Sequence, residues 1–182
     1  MVAILMGTGF EEAEALVPAD LLRRSGAEVK LVALKGNEVT GGHGITVAAD
    51  CTLANVDPEA LDMLVLPGGL GGVNAIQEDL SAMALIEQAY ARGVWLAAIC
   101  AAPTILANLG YLDRRQAVCY PGMEELMGSA VVDKGASVVV DGHIITGRAA
   151  GSAFDFGLRL VDALKGPNAA EKVRDAVHYH WS

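Results

Sequence analysis

The sequence predicts an α/β fold with a mostly parallel sheet buried between helices. Two observations carry this reading. Short aliphatic runs alternate with longer helical stretches along the whole chain. Those runs are continuously apolar, the pattern of strands covered on both faces rather than one.

The elements follow in order. Val2–Met6 reads as a buried strand. Glu11–Ser25 is helical, and Gly26 supplies a stop. Within that helix Pro18 has no N–H for the carbonyl of Glu14, so a kink or a late start is expected. Glu28–Leu34 is the next strand. Residues 36–57, rich in Gly and Thr, are expected to hold an irregular strand pair. Met63–Leu66 is a strand that runs into Pro67-Gly68-Gly69, a turn. Asp79–Arg92 is helical with Gly93 as its cap, and Val94–Ile99 is a strand. Ala101–Leu109 is a helix closed by Gly110. Strand-like pieces follow at Ala117–Tyr120, Ala130–Val132, Ser137–Val140 and Ile144–Thr146. The last two are read as an antiparallel hairpin turning at Asp141-Gly142. Helices over Ser152–Leu164 and Asn168–His178 close the chain.

At 182 residues and 53% hydrophobic, the chain suits one domain with a large aliphatic core. Its net charge of −9 argues against nucleic acid or an anionic membrane surface as partner, because phosphates would be repelled. No apolar run approaches the ~20 residues that span a bilayer. The start, MVAILMGTGFEE, has no basic leader. A cytoplasmic protein is therefore expected. Cys51, Cys100 and Cys119 have no zinc-ligand spacing, and a disulfide framework is not expected.

Functional groups of such sheets lie beyond the carboxyl ends of the strands. The most informative stretch there is Ala97-Ala98-Ile99-Cys100-Ala101-Ala102-Pro103. A strand ends, a nucleophilic residue follows, and a helix begins. Small residues stand two before and two after the cysteine. This is the logic of a nucleophile elbow, where the sharp turn leaves room only for small neighbours. Pro103 fits the first helical turn. A thiol at a helix start is expected to have a lowered pKa, since unpaired N–H groups favour the thiolate. The other reading of Cys100 is a small buried hydrophobe.

Glu11, Glu12 and Glu14 put three acids in one turn. Acids at a helix start are favourable on their own account, which suffices for Glu11 and Glu12. Glu14, if desolvated beside Cys100, would hold its proton and hydrogen-bond the sulfur. Pro67–Gly72 offers either oxyanion N–H donors or simply a flexible turn. None of the histidines His43, His143, His178 and His180 follows Cys100 closely, and no metal site or cofactor is expected.

Four blocks carry a resemblance: Gly9–Leu16 with its Glu-Glu-Ala-Glu, Val65–Gly69 as Val-Leu-Pro-Gly-Gly, Ala97–Pro103, and Thr146–Phe156. In this order they resemble the ThiJ/PfpI superfamily, in its branch of protein deglycases and bacterial ThiJ-type proteins. The resemblance implies a flavodoxin-like three-layer sandwich and a homodimer. It implies that Cys100 is the reactive cysteine, Glu14 its carboxyl partner, and Gly69 and Ala101 backbone oxyanion donors. It places Arg24 and His43 near the dimer-side edge of the pocket. Many relatives carry a histidine where this chain has Tyr120, and tyrosine, with a pKa near ~10, is a poor base at neutral pH. Two functions are implied. One is a glyoxalase or deglycase acting, without cofactor, on a small aldehyde such as methylglyoxal or on glycated adducts. The other is a redox-sensing or chaperone-like protein whose Cys100 is oxidised to sulfenic or sulfinic acid with little turnover. A cysteine hydrolase or amidase would need a histidine partner that the sequence does not place.

Overall fold

A computed structural model describes residues 1–180. Eleven strands and six α-helices follow one another as β1 (Val2–Met6), α1 (Glu12–Arg24), β2 (Val29–Ala33), β3 (Glu38–Thr40), β4 (Thr46–Ala48), β5 (Cys51–Thr52), β6 (Met63–Leu66), α2 (Leu70–Glu78), α3 (Leu80–Ala91), β7 (Trp95–Ile99), α4 (Pro103–Asn108), β8 (Gln116–Ala117), β9 (Val131–Val132), β10 (Val138–Asp141), β11 (Ile144–Gly147), α5 (Ala153–Lys165) and α6 (Pro167–Ala176).

Seven strands form the central sheet in the order β10-β11-β7-β6-β1-β2-β5. All its pairings are parallel except β10 with β11, the hairpin expected at Asp141-Gly142. Side chains alternate across it. From β1, Ala3 and Leu5 enter one aliphatic cluster, together with Val73 and Ile76 of α2, Ile86 of α3 and Ile105 of α4. Val2, Ile4 and Met6 enter the other, with Ala15 and Leu22 of α1, Phe156 of α5 and Val173 of α6. Helices thus cover both faces, which makes a flavodoxin-like three-layer sandwich. Continuous apolar strands follow directly, since a strand buried on both faces has no solvent side on which to place polar residues.

β1 is followed by β2 on one side, and the chain then returns to place β6 on the other. This reversal opens a crevice beyond the carboxyl ends of β1 and β6, the usual ligand position in open α/β sheets. At those ends Gly7 to Phe10 pack directly against Gly68 to Gly72.

Several expectations need correction. The stretch after Pro67 is not an extended flexible turn. From Leu70 it is a helix, hidden in the sequence by Gly71 and Gly72, which are poor helix formers. Their smallness serves contact: a Cβ on Gly72 would lie 2.7 Å from Phe10 Cα, and one on Gly7 would lie 2.7 Å from Gly72 O. α1 runs from Glu12 through Pro18 to Arg24, so the helix neither starts late nor ends there. Pro18 instead meets the closest glycine of α5, where a Cβ on Gly157 would lie 3.1 Å from Pro18 Cα. Residues 36–57 hold the β3–β4 hairpin and also β5, which extends the main sheet. Ala117–Tyr120 is a strand only at its start; Val118 N–H donates to Thr146 Oγ1, and Tyr120 N–H to Cys100 O. Among the described residues no helix is long and apolar enough to cross a membrane.

Candidate functional site

Cys100 follows directly on β7, and Pro103 opens α4 three residues later. Its φ is +68°, a left-handed conformation that costs a non-glycine residue about 1–2 kcal/mol. The bend is held from both sides. Cys100 N–H donates to Gly147 O of β11 (2.9 Å), Tyr120 N–H donates to Cys100 O (2.8 Å), and Ala102 N–H returns to Ile99 O (3.1 Å). Ala98, Ala101 and Ala102 around it are buried, as the elbow reading requires.

Glu14 stands in the first turn of α1 and is fully buried. Its Oε2 accepts the Gly68 N–H at 2.8 Å. Its carboxyl is also a hydrogen-bond partner of the Cys100 thiol. Oε1 has no hydrogen-bond partner among the described residues. A buried carboxyl with one idle oxygen is costly when charged. Burial accordingly raises Glu14 to about 7, against the opposing hydrogen bonds from Cys100 and Gly68 and with help from the nearby charge of Glu11.

The same forces act on the thiol, and here the sequence expectation is overturned. Burial first, then the charge of Glu14 and its hydrogen bond, push Cys100 up to about 12. The N–H groups of Gly69 and Ala101 work the other way but do not win. A helix start alone does not lower this pKa, because the thiol is desolvated and faces an acid. The two groups titrate as a pair. The pair gives up its first proton near neutrality and keeps the second into the alkaline range. Between those limits it holds one negative charge and one shared proton. Of the two arrangements, carboxylate with thiol is the major one, and Gly69 and Ala101 raise the share of carboxylic acid with thiolate by donating to sulfur.

Gly68 is the spacer that lets the pair meet. A Cβ there would lie 2.5 Å from Glu14 Oε2, 2.6 Å from Cys100 Cβ and 2.9 Å from Ile99 O. Two of these are fixed atoms, so they cannot give way. Gly68→Ala should destabilise the protein by about 1–3 kcal/mol, as overpacking does, and slow alkylation of Cys100. Urea unfolding and iodoacetamide labelling would check both. Gly69 adds a positive φ of +82°, and a Cβ on it would lie 2.5 Å from Gly9 O.

The other expected residues are only partly gathered. Tyr120 touches Cys100 through its backbone, and the residue is 48% exposed. His43 reaches the first turn of α1: its Nδ1 lies 3.0 Å from Glu12 Oε2 and 3.5 Å from Glu11 Oε2. Glu12 Oε1 accepts the backbone N–H of His43 (2.9 Å) and Ile45 (3.3 Å). Hydrogen bonding to Glu12, then the charges of Glu11 and Glu12, raise the His43 pKa. Arg24 is not brought to this site; its Nε binds Asp20 at 2.8 Å on the exposed side of α1. Cys119 is buried and Cys51 half-buried, and burial raises both thiols.

Sequence reasoning missed Gly68 and the role of Glu12. The signal for Gly68 was its place between a strand end and Gly69. For Glu12 there was none, because its partner His43 is 31 residues away. Glu11, Glu12 and His43 bring three ligand-type atoms within 4.8 Å of one another, although no metal set was expected. The Glu12–His43 hydrogen bond accounts for their closeness, and Glu12 Oε1 is already occupied by backbone donors.

Together the sandwich and the strained cysteine define a flavodoxin-like protein built round a half-buried thiol and a buried carboxyl. A model of the DJ-1/PfpI family matches residues 1–163, so the chain belongs to the DJ-1/PfpI family. Protein dj-1beta of Drosophila melanogaster is 36% identical over 172 residues, covering 93% of this chain and 92% of that one. A deglycase of Pyrococcus abyssi is 34% identical over 165 residues, covering 90% of this chain and 99% of that one. Among solved structures, a cysteine-to-alanine mutant of a DJ-1 superfamily protein from Salmonella typhimurium superimposes with a TM-score of 0.92 at 34% identity. It covers 99% of this chain and 98% of that one. Oxidized DJ-1 of Toxoplasma gondii gives a TM-score of 0.93 at 30% identity, with the same coverage.

Proposed function

We propose that this protein is a cysteine-dependent stress-defence enzyme acting on small α-oxoaldehydes such as methylglyoxal, or on glycated adducts. The observation that supports the reading is the fully buried carboxyl of Glu14, held by the Gly68 N–H at 2.8 Å beside Cys100, where burial raises it to about 7. The sulfur adds to the aldehyde carbon, and the new alkoxide takes the proton of Glu14, with Gly69 and Ala101 N–H groups as oxyanion donors. Glu14, now a carboxylate, removes the proton from the former aldehyde carbon and returns it to the neighbouring carbon, while the hydroxyl proton passes to the former ketone oxygen. The product of that shift is a thioester of a hydroxy acid. Water then releases lactate and restores the thiol. A general acid–base group works best with a pKa near the operating pH, and Glu14 meets that condition. Tyr120, at the rim, can offer a hydroxyl to the substrate oxygen. The names of the deglycase relatives fit the same chemistry.

A second reading is favoured by Tyr120 standing where a base would speed turnover. In it a hydroperoxide oxidises Cys100 to the sulfenic and then the sulfinic acid, and Glu14 hydrogen-bonds the product. The deciding experiment incubates purified protein with methylglyoxal, without thiol cofactor and with a chelator, and follows lactate. Lactate is expected; methylglyoxal left intact at high protein concentration would rule out the enzymatic reading.

A further inference from the structure

Two consecutive residues of β11 hold Cys100 in its left-handed bend. Gly147 does so directly, its carbonyl accepting the Cys100 N–H at 2.9 Å. Thr146 does so at one remove. Its Oγ1 accepts the Val118 N–H at 2.9 Å, and two residues further on Tyr120 N–H donates to Cys100 O at 2.8 Å. Among the described residues no strand pairing continues past Ala117 in this segment. Asp141 of β10 anchors its start by accepting the Gln116 N–H at 2.9 Å. The N–H groups of Gln116, Val118 and Tyr120 thus meet, in turn, a carboxylate, a hydroxyl and the carbonyl of the bent cysteine. A hydroxyl stands out on β11. All four of its residues are buried, Thr146 is 1% exposed, and the neighbours before it are Ile144 and Ile145. A buried hydroxyl is costly unless hydrogen-bonded, and so is a buried N–H. Val118 is buried as well, so each group satisfies the other.

We propose that Thr146 is a positioning residue for Cys100: its hydroxyl fixes the 118–120 segment, and that segment keeps the cysteine in its bend. The proposal rests on Cys100 being the reacting thiol. A φ of +68° is strained for a residue other than glycine, so it persists only while the surroundings over-determine it. The hydrogen bonds at the N–H and the carbonyl of Cys100 are two such constraints, and loss of the Thr146 acceptor slackens the second. The sulfur then drifts from the Gly69 and Ala101 N–H groups that favour its anion. The share of thiolate in the pair falls. Glu14 stays buried on α1, so the first proton still leaves near neutral pH.

The test follows iodoacetamide labelling of Cys100 by peptide mass spectrometry as a function of pH. The thiolate displaces iodide and a thioether forms. In wild type the rate should rise near pH 7 to a plateau on which the pair holds one proton. In Thr146→Val that plateau should fall about three- to tenfold, the effect of one lost hydrogen bond, while the rise stays near pH 7. Thr146→Ser keeps the acceptor and should return the plateau to within about twofold of wild type. Ile86→Val truncates the core on α3 without touching the 118–120 segment and should leave the plateau alone. Hydrogen exchange on wild type gives a readout that needs no variant: the Val118 and Tyr120 amides should exchange at least ~100-fold more slowly than in a free peptide. An unchanged plateau in Thr146→Val, an equal fall in Ile86→Val, or no rescue by serine would overturn the role of Thr146 while leaving the thiol chemistry standing. So would unprotected Val118 and Tyr120 amides, or faster labelling in Thr146→Val with its rise moved to the free-thiol value. Failure of wild type to label at Cys100 would overturn both.

Discussion

Replacing Cys100 by alanine should lower methylglyoxal turnover by at least ~10³-fold, the scale on which loss of a covalent nucleophile is felt. The site gives no substitute. Cys119 is buried, with its thiol raised to about 11. Cys51 lies on β5, at the far edge of the sheet from β7. Tyr120 has no neighbouring base to activate it among the described hydrogen bonds. The variant should keep its fold, because the Cβ beside Gly68 remains and the elbow is held by backbone hydrogen bonds. Lactate assays with far-UV circular dichroism as the folding control would read both. Equal turnover in the two proteins would remove Cys100 from the mechanism.

Glu14→Gln should remove a pH dependence built into the fold. Glu14 titrates at about 7 in the folded protein against an ordinary 4.5. Between those values the folded state retains a proton that the unfolded chain has lost. Stability from this group is therefore complete below about pH 4.5 and is lost as pH rises through 7. The loss is on the order of 3 kcal/mol. Glutamine does not titrate, while the other groups are common to both proteins. Going from about pH 5 to about pH 8, wild type should lose that amount relative to the variant, whatever their offset at pH 5. Urea unfolding at the two pH values measures it. Parallel stability curves would mean that Glu14 is charged in the folded protein at little cost.

Much of this was legible in the sequence. The sheet was readable because strands buried on both faces leave unbroken aliphatic runs, as in Val2–Met6 and Met63–Leu66. The elbow was readable because the bend at Cys100 tolerates only small neighbours, and alanines mark it. α2 was not, because Gly71 and Gly72 weaken the local helical signal for the sake of contacts with Gly7–Phe10 that only the fold reveals. The charge state of the thiol was misread for a related reason. Local sequence shows the helix start, but not the depth of burial or the acid that α1 delivers from 86 residues away. The latch of Glu12 on His43 likewise depends on a loop whose position no local pattern encodes.

The central claim is that Cys100 and Glu14 own one proton between them. It is tested most directly by the pH dependence of Cys100 alkylation, followed with iodoacetamide in wild type and Glu14→Gln. Wild type should show its inflection near pH 7, where the pair loses its first proton. In Glu14→Gln the anion can form only by ionising a half-buried, partly desolvated thiol, so the inflection should move at least about one unit to the alkaline side. An inflection at the value of a free thiol, about 8.5, and unmoved by the substitution would contradict the account.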